Sequence, residues 1–327
     1  MPGSGTRTFL GPDHYEASLA QAQIEISITC GADFKARQTW VELHRLKLMR
    51  CEEDLPRIGY LAFPPGLTCV SFSADSDPLP RWGGMELKTG NIILHSQGDR
   101  LHQTTLGPSA WNLITFDPVE LGDYSRVLFE KPLTPPAISR VLRPLPRDAR
   151  RLRRLHAQAC RLAETKPKIL SHPEVARAIE QDLMHALVTC LISAKVDEER
   201  TAKRRYALVL IRFEEVLAEH LGRPLSMPEL CELIAVGERT LRSCCAAFLG
   251  ISPTRYVLLR RLKEVRRALS DGDSNMANVA ELARRYGFNE PRRFNKVYRA
   301  AFGESPSSTL RRMPRSRPSG PTSADSA

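Results

Sequence analysis

The chain has 327 residues, 42% of them apolar and 26% charged, with a formal net charge of +11. That length and mixture suit about two globular domains with a sizeable core, and no run approaches the roughly 18 uninterrupted apolar residues of a membrane span. The opening residues lack the apolar stretch of a secretion signal, and the eight cysteines form no C-x-x-C pair. A disulfide-built secreted domain, a zinc knuckle and a membrane protein are therefore excluded as expectations, and a cytoplasmic protein with reduced, mostly buried thiols is expected.

From about residue 20 to 130 the chain reads as short strands. "QIEISIT" alternates Ile24, Ile26 and Ile28, and "LTCVSFS" alternates Thr68, Val70 and Phe72. Pro64-Pro65-Gly66, Gly83-Gly84, Gly90-Asn91 and Gly107-Pro108 supply the turns. A β-sandwich or small barrel over residues 1–149 is expected, closed by the Pro-rich linker "KPLTPPAISRVLRPLPR". The apolar period then becomes helical: Leu152, Leu155, Ala159 and Leu162 form one stripe, and Val175, Ile179, Leu183, Leu187 and Cys190 another. Residues 150–200 read as a helical connector whose two helices pack together or pair between subunits. A polar hinge follows at 196–203, and residues 314–327 are a low-complexity tail expected to be disordered.

Charge is unevenly placed. Residues 1–149 hold 15 Lys and Arg against 17 Asp and Glu, a balance of −2, whereas residues 203–313 hold 21 against 12, a balance of +9. A basic segment beside a near-neutral one points to a polyanion contact confined to the C-terminal part.

That part repeats itself. "ELCELIAVGERTLRSCCAAFLGISP" (229–253) aligns with "ELARRYGFNEPRRFNKVYRAAFGESP" (281–306). Glu229-Leu230 matches Glu281-Leu282 at an offset of 52, and Leu241, Gly250 and Pro253 match Phe294, Gly303 and Pro306 at an offset of 53. Each copy reads helix, tight turn, helix, Gly. In the later copy the second helix turns Phe294, Val297, Tyr298 and Phe302 inward and Arg292, Asn295, Lys296 and Arg299 outward. In the earlier copy Leu241, Cys244, Cys245 and Phe248 turn inward, and Arg239, Arg242, Ser243 and Ala246 outward. A helix anchored by aromatics and presenting Arg, Lys and Asn suits a major groove, where these side chains reach guanine and adenine edges. Before the first copy, Tyr206, Leu210, Phe213 and Leu217 stripe a further helix that ends at Gly222 and Pro224. Between the copies "TRYVLLRRLKEVRRALS" forms a long helix. Its Tyr256, Leu262, Val265 and Leu269 pack on both modules, and Arg260, Arg261, Arg266 and Arg267 are left for phosphate.

At these residues the chain resembles the AraC/XylS family of transcription regulators. The resemblance covers about 203–310 and rests on the pair of copies with Tyr256, "RRLKEVRRAL", "YGF" and "FGESP" in order. It implies a seven-helix domain over 203–313 with two helix-turn-helix motifs touching adjacent major grooves. Base contacts then fall on Arg239, Arg242 and Ser243, and on Arg292, Arg293, Asn295 and Lys296, with Arg299 beside them and Arg260 and Arg266 on phosphates. The expected partners are double-stranded promoter DNA, a small-molecule effector on the N-terminal domain, a second copy of the chain and, for an activator, RNA polymerase. No cofactor, metal, enzymatic activity or membrane contact is expected. The whole is an α+β chain: a β-rich, cupin-like jelly roll, a helical connector and an all-α C-terminal domain. Three departures bear on the first module, where Cys231 and Cys245 replace a usual Ala and Phe and Gly237 replaces a capping Ser.

Other features have plainer readings. Cys244 and Cys245 are adjacent but both face inward, which favours inert packing over redox chemistry. His95 and His102 lack the His-x-His clustering of cupin metal sites. Trp40, Trp82 and Trp111 either line a ligand pocket or fill a β core, the second being the commoner outcome. The alternatives weighed are a cupin enzyme carrying a DNA-targeting module and an effector-independent, nonspecific DNA binder.

Overall fold

The computed structural model describes residues 2–19, 23–30, 33–64, 66–74, 79–196, 201–221, 223–270 and 279–312. Residues 197–200 of the expected hinge, the tail 314–327 and Gly222 lie outside the described residues. Strand β1 (Gly3–Phe9) and helix α1 (Pro12–Ser18) precede β2 (Gln23–Ile28), β3 (Ala36–Glu42), β4 (Leu46–Glu53), β5 (Arg57–Ala62) and β6 (Thr68–Ser73). There follow β7 (Arg81–Trp82), β8 (Met85–Glu86), β9 (Ile92–Leu94), β10 (Arg100–Thr104), β11 (Ser109–Phe116), α2 (Pro118–Phe129) and β12 (Arg140–Arg143). Helices α3 (Pro146–Thr165), α4 (Pro167–Leu170) and α5 (Pro173–Ser193) then lead to the short β13 (Lys195–Val196).

The strands form two antiparallel sheets. One runs β1-β3-β4-β11-β6-β9-β12-β13 and the other β2-β5-β10-β7-β8. Their facing sides enclose Ile26, Met49, Cys51, Leu61, Trp82, Trp111 and Leu113. The outer side of the larger sheet is equally apolar: Leu46, Leu48, Val70, Phe72, Ile114 and Phe116 share one core with Leu152 and Ala159 of α3 and Leu183 and Leu187 of α5. Strand β6 is consequently buried along its whole length, a two-sided burial characteristic of sheets covered by helices.

Three expectations change. The two helices read as a connector are built into the β domain, as the shared core shows. The Pro-rich linker contains β12, which pairs Val141 with Ile93 and buries Val141 and Leu142; a short Val-Leu pair among prolines is enough to extend an open sheet edge. Finally, β1 was not expected, because "GSGTRTF" lacks apolar alternation; it gains its place through full pairing with β3, Gly3 against Glu42 to Phe9 against Ala36. Trp82 and Trp111 are core residues, whereas Trp40 is half-buried with the Arg7 guanidinium over its ring.

Inside the sandwich lies a polar cluster. Glu53 accepts from Tyr15 Oη at 2.7 Å, Trp111 Nε1 at 2.9 Å and Arg57 Nε at 2.5 Å, and Arg57 Nη2 donates to Gln103 Oε1 at 2.7 Å. A buried ion pair of this kind is tolerated because its lone pairs are occupied.

The C-terminal part comprises α6 (Thr201–Glu219), α7 (Met227–Ile234), α8 (Glu238–Leu249), α9 (Pro253–Ser270), α10 (Val279–Arg285), α11 (Pro291–Phe302) and α12 (Pro306–Arg312). Helix α7 opens on a capping box between Ser226 and Glu229, while α8 starts at Gly237 with no side-chain cap. The turns between the paired helices differ. Gly287 takes φ 77° in the later copy, but its counterpart Ala235 is forced to φ 59° in the earlier one, a region that costs an L side chain about 1–2 kcal/mol.

Two stability predictions follow from this packing. Burial pushes the His156 pKa down from 6.5 to about 4, so the folded chain binds fewer protons than the unfolded one below pH 6.5, and stability falls as pH drops through that window. Between pH 6.5 and 5 the loss should be roughly 2 kcal/mol, and His156→Leu should abolish it in urea titrations at the two pH values. Second, Ala235→Gly should stabilise the chain by about 0.5–1 kcal/mol. Gly287→Ala should destabilise it by more than 1 kcal/mol, because the new Cβ would lie 2.6 Å from Pro224 Cγ; thermal unfolding of both variants checks the opposite signs.

Candidate nucleic-acid interface

The second module is anchored by aromatics. Phe288, Phe294, Tyr298 and Phe302 pack in succession, tilted or edge to face, with ring centroids 5.0, 5.6 and 4.7 Å apart. Tyr298 Oη also shares a hydrogen bond of 2.9 Å with Thr309 Oγ1 of α12. These contacts fix the roll of α11, since a helix with one buried stripe has only one way to present the other face. That other face carries Arg292, Arg293, Asn295, Lys296 and Arg299, all exposed, and none makes an ion pair among the described residues.

In the first module α8 buries Leu241, Cys244, Cys245, Phe248 and Leu249 and exposes Arg239, Arg242 and Ser243. Arg242 is held by Glu238 one turn back, with Nε and Nη2 at 3.0 and 2.5 Å from the same oxygen, and Ser243 Oγ returns to the Arg239 carbonyl. This face is less basic and partly self-paired. Burial pushes the Cys245 thiol up to about 12 and raises Cys244, so neither is a thiolate near neutral pH.

The two modules meet through α9. Ile251 touches the cores of both, and Arg261 donates to the Tyr286 carbonyl at 2.8 Å with its guanidinium over the Phe288 ring. Here a sequence expectation is corrected. Arg260 and Arg266 do not stand free for phosphate; each is 8% exposed and paired to carboxylates. Arg260 binds Glu25 and lies 3.6 Å from Glu214, and Arg266 reaches Asp13 at 3.1 Å and Glu304 at 3.5 Å. Between them Lys263 pairs with Glu16 at 2.5 Å, and Arg267, more exposed, lies 3.8 Å from the same carboxylate. Buried cations need such partners, because desolvation without them is costly.

The β domain reaches the first module as well. His102 of β10 meets Glu214 of α6 at 2.7 Å, and Tyr256 Oη donates to the same oxygen. Gly84 lies so close to Phe248 of α8 that a Cβ there would stand 2.7 Å from the ring. His95, by contrast, faces into the sandwich beside Ser71 and Trp82. The two histidines therefore sit on opposite sides of the smaller sheet's neighbourhood and do not converge on one site. Sequence reasoning missed Asp13, Glu16, Glu25 and Glu214. The available signal was the spacing of Arg260, Lys263 and Arg267, which places three cations on one stripe of α9 beside the apolar one.

A family described as a helix-turn-helix domain matches residues 230–312. The XylDLEGF operon transcriptional activator 1 of Pseudomonas putida is 39% identical over 101 residues, 31% of this chain and 30% of that protein. A probable thc operon regulatory protein of Rhodococcus erythropolis is 31% identical over 146 residues, 44% of this chain and 43% of its own length. The matched part thus spans between about a third and a half of these relatives. Among solved structures, the AraC-like transcriptional activator CuxR aligns over 80% of this chain and 94% of its own, at 14% identity and a TM-score of 0.42, a likeness too loose to carry argument. With its paired motifs in order and α9 between them, the C-terminal third matches the helix-turn-helix domain family and is similar to the corresponding part of these operon regulators.

Proposed function

We propose that this chain binds promoter DNA sequence-specifically, laying α8 and α11 into neighbouring major grooves, and so regulates transcription. The observation that carries the reading is the exposed face of α11, four cations and an amide on a helix whose opposite face is locked by aromatics. Arg and Lys at such positions reach guanine O6 and N7, and Asn reaches adenine. Base contacts are assigned to Arg239, Arg242 and Ser243 and to Arg292, Arg293, Asn295 and Lys296, with Arg299 at the edge of the same face.

We assign a small-molecule effector to the β domain. Arg57 Nη1, Gln103 Nε2 and Trp82 Nε1 are buried donors without an acceptor among the described residues, and they stand on three successive strands of the smaller sheet, β5, β10 and β7. Ligand binding alters regulation only through a difference in affinity between two arrangements of the protein. Family habit adds a second copy of the chain and, for an activator, RNA polymerase as partners.

Arg292→Ala and Lys296→Ala should each weaken binding to the preferred duplex by about 1–3 kcal/mol and relax preference at one base pair. Selection from random duplexes with each variant reads this out; unaltered site preference in both would refute the assignment. Nonspecific binding, the rival reading, depends on phosphate charge alone and would be competed equally by unrelated DNA. The corrected placement of α9 gives a further outcome. Arg299→Ala should reduce the salt slope of binding by about 1, whereas Arg266→Ala, already neutralised by carboxylates, should leave it unchanged in anisotropy titrations across salt.

A further inference from the structure

The β domain touches both DNA-reading modules, and it touches each near the trailing end of its reading helix. At the first, Gly84 abuts Phe248, two residues before the Gly250 that ends α8. At the second, Asp13 binds Arg266, whose guanidinium lies 4.7 Å from the centroid of the Phe302 ring, the last residue of α11, and 3.5 Å from Glu304 just beyond it. Between these points Glu16 and Glu25 hold Lys263 and Arg260 along α9.

The contacts leave the reading faces uncovered, since Arg239, Arg242, Arg292 and Lys296 remain exposed while the domain is docked. The docked arrangement therefore leaves those side chains open to a groove. Its mechanical consequence is different. The two modules have separate cores joined chiefly through α9, so their mutual angle depends on whatever stiffens that joint. Gly287 of the second module also abuts Pro224 of the first; the N-terminal carboxylates add a further constraint, acting on α9 from Arg260 to Arg266.

We propose that Asp13, Glu16 and Glu25 are positioning residues for specificity: by bracing α9 and the end of α11 against the β domain, they fix the separation and phase of the two reading helices and so select the spacing between half-sites in the operator. They would do this without touching DNA. One base pair of added spacing turns the second half-site by about 34°, given 10–10.5 base pairs per turn, so a braced pair of helices discriminates sharply against it and a hinged pair does not. The operator part of this inference rests on the two-groove reading above; the bracing part does not.

The experiment uses the full chain and the variant D13N/E16Q, which removes two carboxylates while the His102–Glu214 contact still holds the first module. Nitroxide labels at Ser243→Cys and Asn295→Cys, in a background with Cys30→Ser and Cys231→Ser, report the distance between the reading faces by pulsed electron resonance. A narrow distribution in the braced chain that broadens in D13N/E16Q is expected; an unchanged distribution overturns the inference whatever happens with DNA. Duplexes selected by the unmodified chain are then resynthesised with the half-sites moved by one base pair. The unmodified chain should lose at least tenfold in affinity and D13N/E16Q no more than about twofold, and equal losses in both would overturn the assignment. If no duplex is selected at all, the two-groove reading fails while the distance measurement still decides the bracing. Should D13N/E16Q fail to fold by circular dichroism, E25Q, whose side chain is more exposed than that of Glu16, takes its place with the same two outcomes.

Discussion

Glu214 is the residue on which the arrangement of the molecule turns. It comes from the first helix of the DNA-reading part, is 2% exposed, and accepts from His102 of the β domain and Tyr256 of α9, with Arg260 nearby. A carboxylate so deeply placed is pushed toward protonation by burial, yet these donors and the arginine charge outweigh that effect and hold its pKa below the usual value. It is therefore an ion at neutral pH, and an ion in that position demands its partners. Three structural units meet at one side chain: the smaller sheet through β10, the first module through α6, and the helix that carries both modules. Burying a charge without those donors would be prohibitive, so the interdomain geometry is specified by a requirement for satisfaction as well as by apolar area.

The seam that begins at Glu214 continues along α9, and it explains the uneven charge of the chain better than composition could. The basic excess of residues 203–313 divides into two populations. Arg260, Lys263 and Arg266 are consumed by acids from the first 25 residues and from α6 and the turn after α11. Arg292, Arg293, Lys296 and Arg299 remain in solvent. The same residue types at similar helical spacings have opposite surroundings: one set neutralises internal carboxylates along the joint, and the other keeps its charge in solvent. In the near-neutral N-terminal part, −2 conceals a local acidic group on α1 and β2 that complements α9.

This division shows which parts of the structure were legible in sequence. The duplicated motif could be read because its determinants are local: Leu241 and Phe294 face inward for reasons contained within one turn of helix, and Arg292 and Lys296 face outward for the same reasons. The strands carrying Ile24 to Ile28 and Thr68 to Ser73 were legible from alternation. Arg260 and Arg266 were not, because their fate depends on Glu25 and Asp13, more than 230 residues away in sequence, and helical periodicity cannot distinguish a cation facing water from one facing an acid. The placement of α3 and α5 failed for a related reason. Their stripes announce a buried face but not its partner, which is the outer side of the larger sheet. Strand β1 and strand β12 lack intrinsic alternation and exist by pairing with β3 and β9, a long-range cause that a local pattern does not contain.

The two modules, alike in plan, differ in how their shape is secured, and the difference has a physical logic. The first has an uncapped reading helix, an alanine in a left-handed turn and the cysteines Cys231, Cys244 and Cys245 in or against its core. Its deficits are local, and it is the module against which the β domain packs most closely, through Ile58, Gly84 and His102. The second has glycine at the equivalent turn and a continuous row of four aromatics in tilted and edge-to-face contact. Its attitude toward its neighbour rests on few contacts among the described residues: its core meets the first at Ile251 and along α9, and Gly287 abuts Pro224. The β domain thus contributes packing where local structure is weak and orientation where local structure is strong. A contact that supplies orientation alone can be altered without unfolding anything, which is the property a signal passing from the β domain to the reading helices would require.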